Sequence, residues 1–288
     1  MRKKQKVLKI LIPKGRLFPA ISRLLKEIGL FQEISEQSYL PPCSDSQIAA
    51  KLMKPQNIPE LVDIGSYDAG FTGLDWIIEK KAKVEEILDL GFNPVRIVAA
   101  TPKKNSLSSL QSRKIMVASE YENIARSYLK NRGFNYYFIK TFGATEAFPP
   151  DDADLIVDNT ATGKTLKEHG LKILDIIMHS STRLIINPTV KNDSWKKEKL
   201  DELVMLIKSV LNARERVILE MNVETPRLEE LVRILPCMRA PTVAPLFNGT
   251  GYAVKVAVKK EEASRLIPLL KKMGATDILE YELRKVII

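Results

Sequence analysis

Short apolar runs alternate with segments whose apolar residues recur every three or four positions through the first two-thirds of the chain. Runs of the first kind predict buried strands, and segments of the second predict amphipathic helices. Val7–Ile12 is such a run, ended by Pro13. Pro19–Ile28 sets Ile21, Leu24, Leu25 and Ile28 on one helical face and stops at Gly29. Asn57-Ile58-Pro59-Glu60 opens a helix, with Asn57 as cap, Pro in the first turn and Glu three places after the cap. Asp68–Thr72 predicts a strand ending at Gly73, with Leu74–Lys80 helical beyond it. Val95–Ala100 and Ile115–Ala118 are further strands. Ser119-Glu120-Tyr121-Glu122 has the spacing of a capping box, and its helix runs to Gly133. Strands at Tyr136–Ile139 and Leu155–Val157 flank a loop over Phe142–Asp154. Leu174–Met178 and Arg183–Asn187 are strands, and Ser194–Glu215 is a long amphipathic helix. The alternation predicts α/β lobes with mainly parallel sheets.

The order changes near Val217. A strand (Val217–Val223) precedes a helix opened by Thr225-Pro226 and running through Leu235. An extended Thr242–Leu246, a turn at Asn248–Gly251 and an alternating Tyr252–Val258 follow. A helix over Glu261–Met273 and a last strand over Asp277–Ile287 complete a βαββαβ order, which is ferredoxin-like. A domain boundary is expected near residue 214.

Composition adds little to this picture and removes some alternatives. The 288 residues suffice for two or three domains, and 45% apolar with 28% charged residues is an ordinary globular balance. Cys43 and Cys237 lie far apart and form neither a disulfide framework nor a metal spacing; His169 and His179 form no zinc set. The basic, then apolar start ends at Pro13 with no small-residue cleavage site, so a cytoplasmic protein is expected. No apolar run approaches a membrane span. The net charge of +10 suits either a nucleic-acid binder or an enzyme of polyphosphorylated small molecules. Basic residues interleaved with acids, as in Lys196-Lys197-Glu198-Lys199, argue against the first.

Candidate chemistry concentrates at strand ends. Leu155-Ile156-Val157 delivers Asp158, then Thr160, Ala161, Thr162, Gly163, Lys164 and Thr165, with a helix starting near Gly163. Such a loop turns backbone N–H groups toward an anion. The hydroxyls of Thr162 and Thr165 add donors, and Asp158 suits the neutral hydroxyls of a ribose. An acid for the sugar and an amide-rich loop for phosphate fit a ribose 5-phosphate. An ordinary capped strand–turn–helix is the competing reading. Gly163-Lys164-Thr165 also looks like the end of a Walker A loop, but the first glycine of that motif would fall on Asp158. Lys14-Gly15-Arg16 after the first strand is either a polyphosphate grip or a solvated basic turn. Gly70 and Gly73, around Thr72, permit close approach of a ligand or serve packing. Glu146 in Gly143-Ala-Thr-Glu146 is a ribose-hydroxyl or metal-water partner, or a surface acid.

Taken together, Lys14–Leu17, Lys54–Val62, Asp68–Gly73, Gly143–Ala147 and Asp154–Leu166 resemble the ATP phosphoribosyltransferase family, the first enzyme of histidine biosynthesis. Leu235–Leu246 and Gly274–Ile278 are similar to the regulatory domain of the family's long form. The resemblance implies two lobes of the type II periplasmic-binding-protein kind and a C-terminal ferredoxin-like, ACT-like domain. The implied division is residues 1–98 with 180–213, residues 99–179, and residues 214–288. It implies attack of N1 of ATP on C1 of phosphoribosyl pyrophosphate, with Mg²⁺ as cofactor and no side-chain nucleophile. Asp158 to Thr165 would hold the ribose 5-phosphate, with Glu146 and Asp154 at the sugar. Lys14, Gly15, Arg16, Lys54, Gly70, Thr72 and Gly73 would face ATP or pyrophosphate. Histidine would bind near Asn222, Met238, Thr242 and Ala275 as feedback inhibitor, AMP would also inhibit, and dimers would assemble into hexamers. No nucleic acid or membrane partner is implied.

The chain departs from the family at Lys54 and Asn57, where Arg and Asp are usual. Lys54 keeps the charge and loses the bidentate fork. Gly91-Phe-Asn-Pro-Val-Arg96 lacks the usual Gly-x-Cys before its arginine. A two-lobed sensor without chemistry is the rival class; neither a signal peptide nor a helix-turn-helix module is visible for it.

Overall fold

The computed structural model describes residues 6–247 and 249–288. The chain divides into two compact units between Lys199 and Leu200, inside a long helix. The boundary expected near residue 214 falls at the end of that helix, where the C-terminal sheet begins.

The first unit holds two five-stranded sheets. β1 (Leu8–Pro13) passes through a 3-10 turn at Gly15–Leu17 into α1 (Phe18–Glu27). β2 (Ile48–Met53), α2 (Ile58–Asp63), β3 (Ala69–Gly73), α3 (Leu74–Lys80) and β4 (Glu85–Asp89) follow. The chain then builds the second sheet with β5 (Val95–Pro102), α4 (Leu107–Gln111), β6 (Lys114–Ser119), α5 (Glu122–Asn131), β7 (Asn135–Lys140), β8 (Leu155–Thr160), α6 (Lys164–Glu168) and β9 (Leu171–Ser180). β10 (Thr182–Ile186) returns to the first sheet before α7 (Ser194–Arg214).

The sheet orders are β2-β1-β3-β10-β4 and β7-β6-β8-β5-β9. In each, three parallel strands are extended by strands that add in antiparallel fashion. The expectation of mainly parallel sheets is corrected to mixed ones. The chain crosses twice between the sheets, and the strands on either side of the crossings, β4 and β5 at the first and β9 and β10 at the second, pair by reversal. All of β5 belongs to the second sheet, so a lobe boundary at residue 98 would cut a strand; the crossings fall after Asp89 and at Ser180–Thr182. β2, β4 and α4 have no counterpart in the sequence reading.

Helix starts also differ. Asn57 makes no side-chain cap; a 3-10 turn at Pro55–Asn57 leads into α2 instead. Ser119 is no capping box either. Its hydroxyl donates to the Val157 carbonyl at 2.6 Å and accepts from Tyr121 N at 2.9 Å. Two N–H groups in the first turn of α5, at Asn123 and Ile124, donate to the Glu79 carboxylate on α3, each at 3.1 Å. A distant acid thus does the capping that a local box would do. Thr225 opens a 3-10 turn without a side-chain cap.

Packing is fixed by the parallel strands. Leu11, Ile58, Val62, Ile77 and Ile185 form a buried cluster of the first sheet. A Cβ on Gly70 would meet the Ile58 Cγ2 at 2.6 Å, so that glycine lets α2 lie on the strand. Trp76 of α3 joins the core of the second half, its ring stacked on Tyr121 at 4.6 Å between centroids.

The second unit, after the end of α7, contains β11 (Arg216–Glu224), α8 (Leu228–Arg233), β12 (Thr242–Pro245), β13 (Gly251–Lys259), α9 (Lys260–Lys272) and β14 (Thr276–Glu282). Its sheet order is β12-β13-β11-β14, the ferredoxin-like arrangement expected. Alternate residues Val217, Leu219, Met221 and Val223 face a core closed by Leu231, Leu266 and Leu270 of the helices. The turn expected at Asn248–Gly251 includes Asn248, which lies outside the described residues.

Candidate active site

In each sheet of the first unit the parallel strands end at one edge, where open α/β sheets bind their ligands. The ends of β1, β2 and β3, with the corner after β6 and the end of β8, enclose a cleft of about 470 Å³. Five of the sequence-predicted residues line it: Lys14, Gly15, Arg16, Lys54 and Gly73.

The basic turn is built by β1 and the short helix start behind it. Gly15 has φ +68°, which a side chain would strain. Its N–H donates to the Glu36 carboxylate, which also lines the cleft. The Lys14 ammonium sits 3.6 Å from the centroid of the Tyr39 ring. Asn93 donates to the Arg16 carbonyl at 3.2 Å and so ties the turn to the crossing segment. Two of the predicted residues take structural parts instead. Gly70 is buried packing against Ile58, and Thr72 is fully buried with its hydroxyl donated to the Pro55 carbonyl at 2.9 Å.

Polar side chains from four elements meet on the cleft floor. Asp75 accepts from the Tyr121 hydroxyl at 2.8 Å and from the Ser180 hydroxyl at 2.6 Å. Asn159 donates to the Tyr121 oxygen at 3.2 Å. Burial, with the nearby Asp75 carboxylate, pushes the Tyr121 phenol well above its ordinary range, so it stays a neutral donor. The sequence reading missed this group. Asp75 reads as an acid in a helix's first turn and Tyr121 as part of a capping sequence, because their partners lie far along the chain.

Asp158 and Thr160 belong to β8, which runs three residues beyond the expected Val157. Burial pushes the Asp158 carboxyl up to about 7 against the help of the Asn159 N–H; Glu146 and Glu120 push it the same way. The carboxylates of Glu146 and Glu120 therefore act on Asp158 at the end of this strand. The turn beyond it is partly closed on itself. Thr160 accepts from Gly163 N at 2.9 Å and Thr162 from Lys164 N at 3.3 Å. The two threonine hydroxyls serve as acceptors there and keep their own hydrogens to donate. The expectation of a converging set of free amides is corrected to that extent. Ala161, Thr162, Lys164 and Thr165 are exposed, and Gly163 takes φ +83°. The Arg96 guanidinium comes within 4.0 Å of where a Cβ on Gly163 would stand. Arg96 pairs with Thr160 across β5 and β8, so the sheet supplies this cation from a strand the sequence could not align with the loop.

Asp154 is placed elsewhere. It precedes the other end of β8 and forms a two-pronged pair with Arg113, at 2.6 and 3.2 Å, while accepting from Met116 N at 2.9 Å. Although burial opposes it, the Arg113 pair holds this carboxyl below its ordinary value. Its role is to anchor the strand, and the expected place beside a sugar is corrected.

No group of three or more His, Cys, Asp or Glu able to hold a metal occurs among the described residues. The carboxylates of Asp158, Glu146 and Glu120 would fit a hydrated Mg²⁺, since that ion keeps several waters and needs only one or two carboxylates.

In the second unit, Asn222 and Thr242 lie on the sheet face turned away from the helices, separated by β13. Asn222 donates to Asp277 at 2.9 Å. Ala275 is buried in the core, and Met238 is exposed in the loop before β12. The four residues do not form one cluster within this unit.

Comparison with known proteins bears on both units. Residues 54–209 match the family model described as ATP phosphoribosyltransferase, and residues 213–285 match the model of its C-terminal domain. A relative from Pelotomaculum thermopropionicum, named ATP phosphoribosyltransferase, is 40% identical over 97% of this chain and 99% of its own. One of the same name from Chlorobium phaeobacteroides is 38% identical over 98% of both. Among solved structures, an ATP phosphoribosyl transferase (HisG:HisZ) complex from Thermotoga maritima matches with TM-score 0.64 and 31% identity, covering 72% of this chain and 99% of that one. Matches that run end to end, through both family models in order, mean that this chain belongs to the ATP phosphoribosyltransferase family, in the long form that carries the C-terminal domain.

Proposed function

We propose that the protein joins N1 of ATP to C1 of phosphoribosyl pyrophosphate, forming phosphoribosyl-ATP and releasing pyrophosphate, as the first step of histidine biosynthesis in the cytoplasm. The observation that carries this reading is the pairing of two unlike strand ends. One is a cationic turn at Lys14–Arg16; the other is an acid, Asp158, followed by a hydroxyl-rich turn beside Arg96.

The reaction needs both. The C1–O bond to pyrophosphate breaks as the N1 lone pair forms the new C1–N bond, and the sugar passes through a cationic, oxocarbenium-like state. Asp158, with Glu146 nearby, supplies negative potential to that sugar and accepts hydrogen bonds from its hydroxyls. The Thr160–Thr165 turn and Arg96 hold the 5-phosphate. Lys14, Arg16 and Lys54, with Gly73 lining the same cleft, neutralise the phosphates of ATP and the departing pyrophosphate. Mg²⁺, when bound through substrate phosphates, supplies charge stabilisation to the leaving group. A direct displacement requires no side-chain nucleophile.

The C-terminal unit is read as a regulatory domain. Histidine would bind near Asn222, Met238, Thr242 and Ala275, with pairing of two such domains completing the site. AMP would compete at the nucleotide cleft, and assembly from dimers to hexamers belongs to the same reading. The test is direct: purified protein with ATP, phosphoribosyl pyrophosphate and Mg²⁺ is expected to give phosphoribosyl-ATP and pyrophosphate, suppressed by histidine. No product under these conditions overturns the catalytic reading, and an unsuppressed rate overturns the regulatory one.

A further inference from the structure

Two side-chain amides line the cleft, and in both the orientation is fixed from behind. The Gln56 Nε2 donates to the Glu120 carboxylate at 3.3 Å. Reversing this amide would set its oxygen against a carboxylate. The Asn93 Nδ2 donates to the Arg16 carbonyl at 3.2 Å, and reversal there would set two oxygens together. In both residues the amide oxygen is therefore the free end. Among the described residues, Gln56 Oε1 and Asn93 Oδ1 are buried side-chain oxygens without a hydrogen-bond partner.

A buried acceptor left without a donor costs about 1–3 kcal/mol. Two of them in one cleft form a place for donors, not for phosphate oxygens. They stand beside the cations Lys14, Arg16 and Lys54 and beside Trp76 and Tyr121, which line the same cleft. Of ATP's parts, the phosphates carry only acceptors; the donors are the ribose hydroxyls and the exocyclic amine of the base, and a nucleotide that keeps the hydroxyls and lacks the amine tells them apart.

We propose that Gln56, assisted by Asn93, recognises the exocyclic amine of the adenine base through its amide oxygen. This rests on the transferase reading above and deepens it. The contact does more than select the base. The amine lone pair is conjugated into the ring, so a hydrogen bond accepted from its N–H pushes electron density toward N1, the atom that attacks C1. Glu120 polarises the Gln56 amide from behind and makes its oxygen a better acceptor. Gln56 is thus a specificity-determining residue, and Glu120 is a positioning residue acting through it.

The test compares two nucleotides in the full-length protein with Mg²⁺: ATP and purine riboside 5′-triphosphate, which lacks the amine. Wild type is expected to bind ATP about tenfold more tightly, the size of one neutral hydrogen bond made in a buried site. In Gln56→Met, which keeps the length and loses the acceptor, the two dissociation constants should fall within about twofold of each other. Gln56→Ala serves where the methionine variant fails to fold, and Asn93→Gly, which tolerates the φ of +49° at that position, should narrow the ratio in part. Equal binding of both nucleotides by wild type overturns the proposal, as does a tenfold ratio that persists in folded Gln56 variants. Wild type that binds neither nucleotide and yields no product overturns the transferase reading itself, a result distinct from ATP binding and turnover without discrimination.

Discussion

The two strand ends that frame the proposed chemistry share an architecture and differ in charge. β1 pairs in parallel with both neighbours and β8 with one, and both end in a turn with a positive-φ glycine, Gly15 or Gly163, ahead of a helix. After β1 the residues are Lys14 and Arg16, and an acid from elsewhere, Glu36, takes up the Gly15 N–H. After β8 the acid, Asp158, belongs to the strand, and the cation, Arg96, comes from its neighbour. A parallel sheet edge is therefore a neutral frame for binding. The side chains at its rim decide whether it faces a polyanion or a sugar that becomes cationic.

Removing the acid should break the comparison most strongly. Asp158→Asn is expected to lower turnover by roughly 10²–10³-fold, the scale of one lost electrostatic contact to a developing charge. Its stability should move the other way. The carboxyl has its ordinary value near 3.8 when unfolded and about 7 when folded, so between those values the folded chain binds more protons. Wild-type stability then declines as pH rises from about 4 to 7 and is flat above. The Asn variant escapes that decline and should be more stable at pH 8 by roughly 2–4 kcal/mol. Thermal or urea unfolding across that range, set beside turnover, measures both. A variant that loses stability and activity together would mean that Asp158 is a structural residue.

The next effect tests the cation that the sheet brings to the sugar-phosphate turn. Arg96→Gln should raise KM for phosphoribosyl pyrophosphate about tenfold, as expected for one lost charge-assisted contact, while KM for ATP changes by less than about twofold. Equal changes for both substrates would remove the distinction between the two turns.

Arg96 also marks the limit of what the chain reveals before it folds. The strand-to-turn pattern of Leu155–Thr165 and the βαββαβ order after Val217 are local, and periodicity exposes them. Arg96, Asp75 and Glu79 act on residues between 44 and 105 positions away, through antiparallel pairings and an interhalf cap that no local pattern encodes. Thr72 and Asp154 show the converse. Each sits in a segment of the right chemistry, yet register turns Thr72 to the Pro55 carbonyl and places Asp154 at the wrong end of β8. Family likeness locates a segment; the pleat decides which of its side chains reach a ligand.

The smallest effect concerns Glu36, the acid that stands in the cationic turn. Its carboxylate accepts the Gly15 N–H, the same donor that a phosphate oxygen would use, and it lines the cleft with Lys14 and Arg16. A polyphosphate that enters must displace it and meets its charge. Glu36→Gln keeps the size, weakens the hold on the N–H and removes the repulsion, so KM for ATP should fall about two- to fivefold, with little change for phosphoribosyl pyrophosphate. Because Coulomb repulsion between partly exposed groups is screened by salt, the gain should shrink as ionic strength rises from about 0.05 to 0.5 M. A KM for ATP that rises in this variant would mean that Glu36 orders the turn for its ligand. The acid would then belong to the grip, and the two strand ends would each be a mixed site with its charges in a different order.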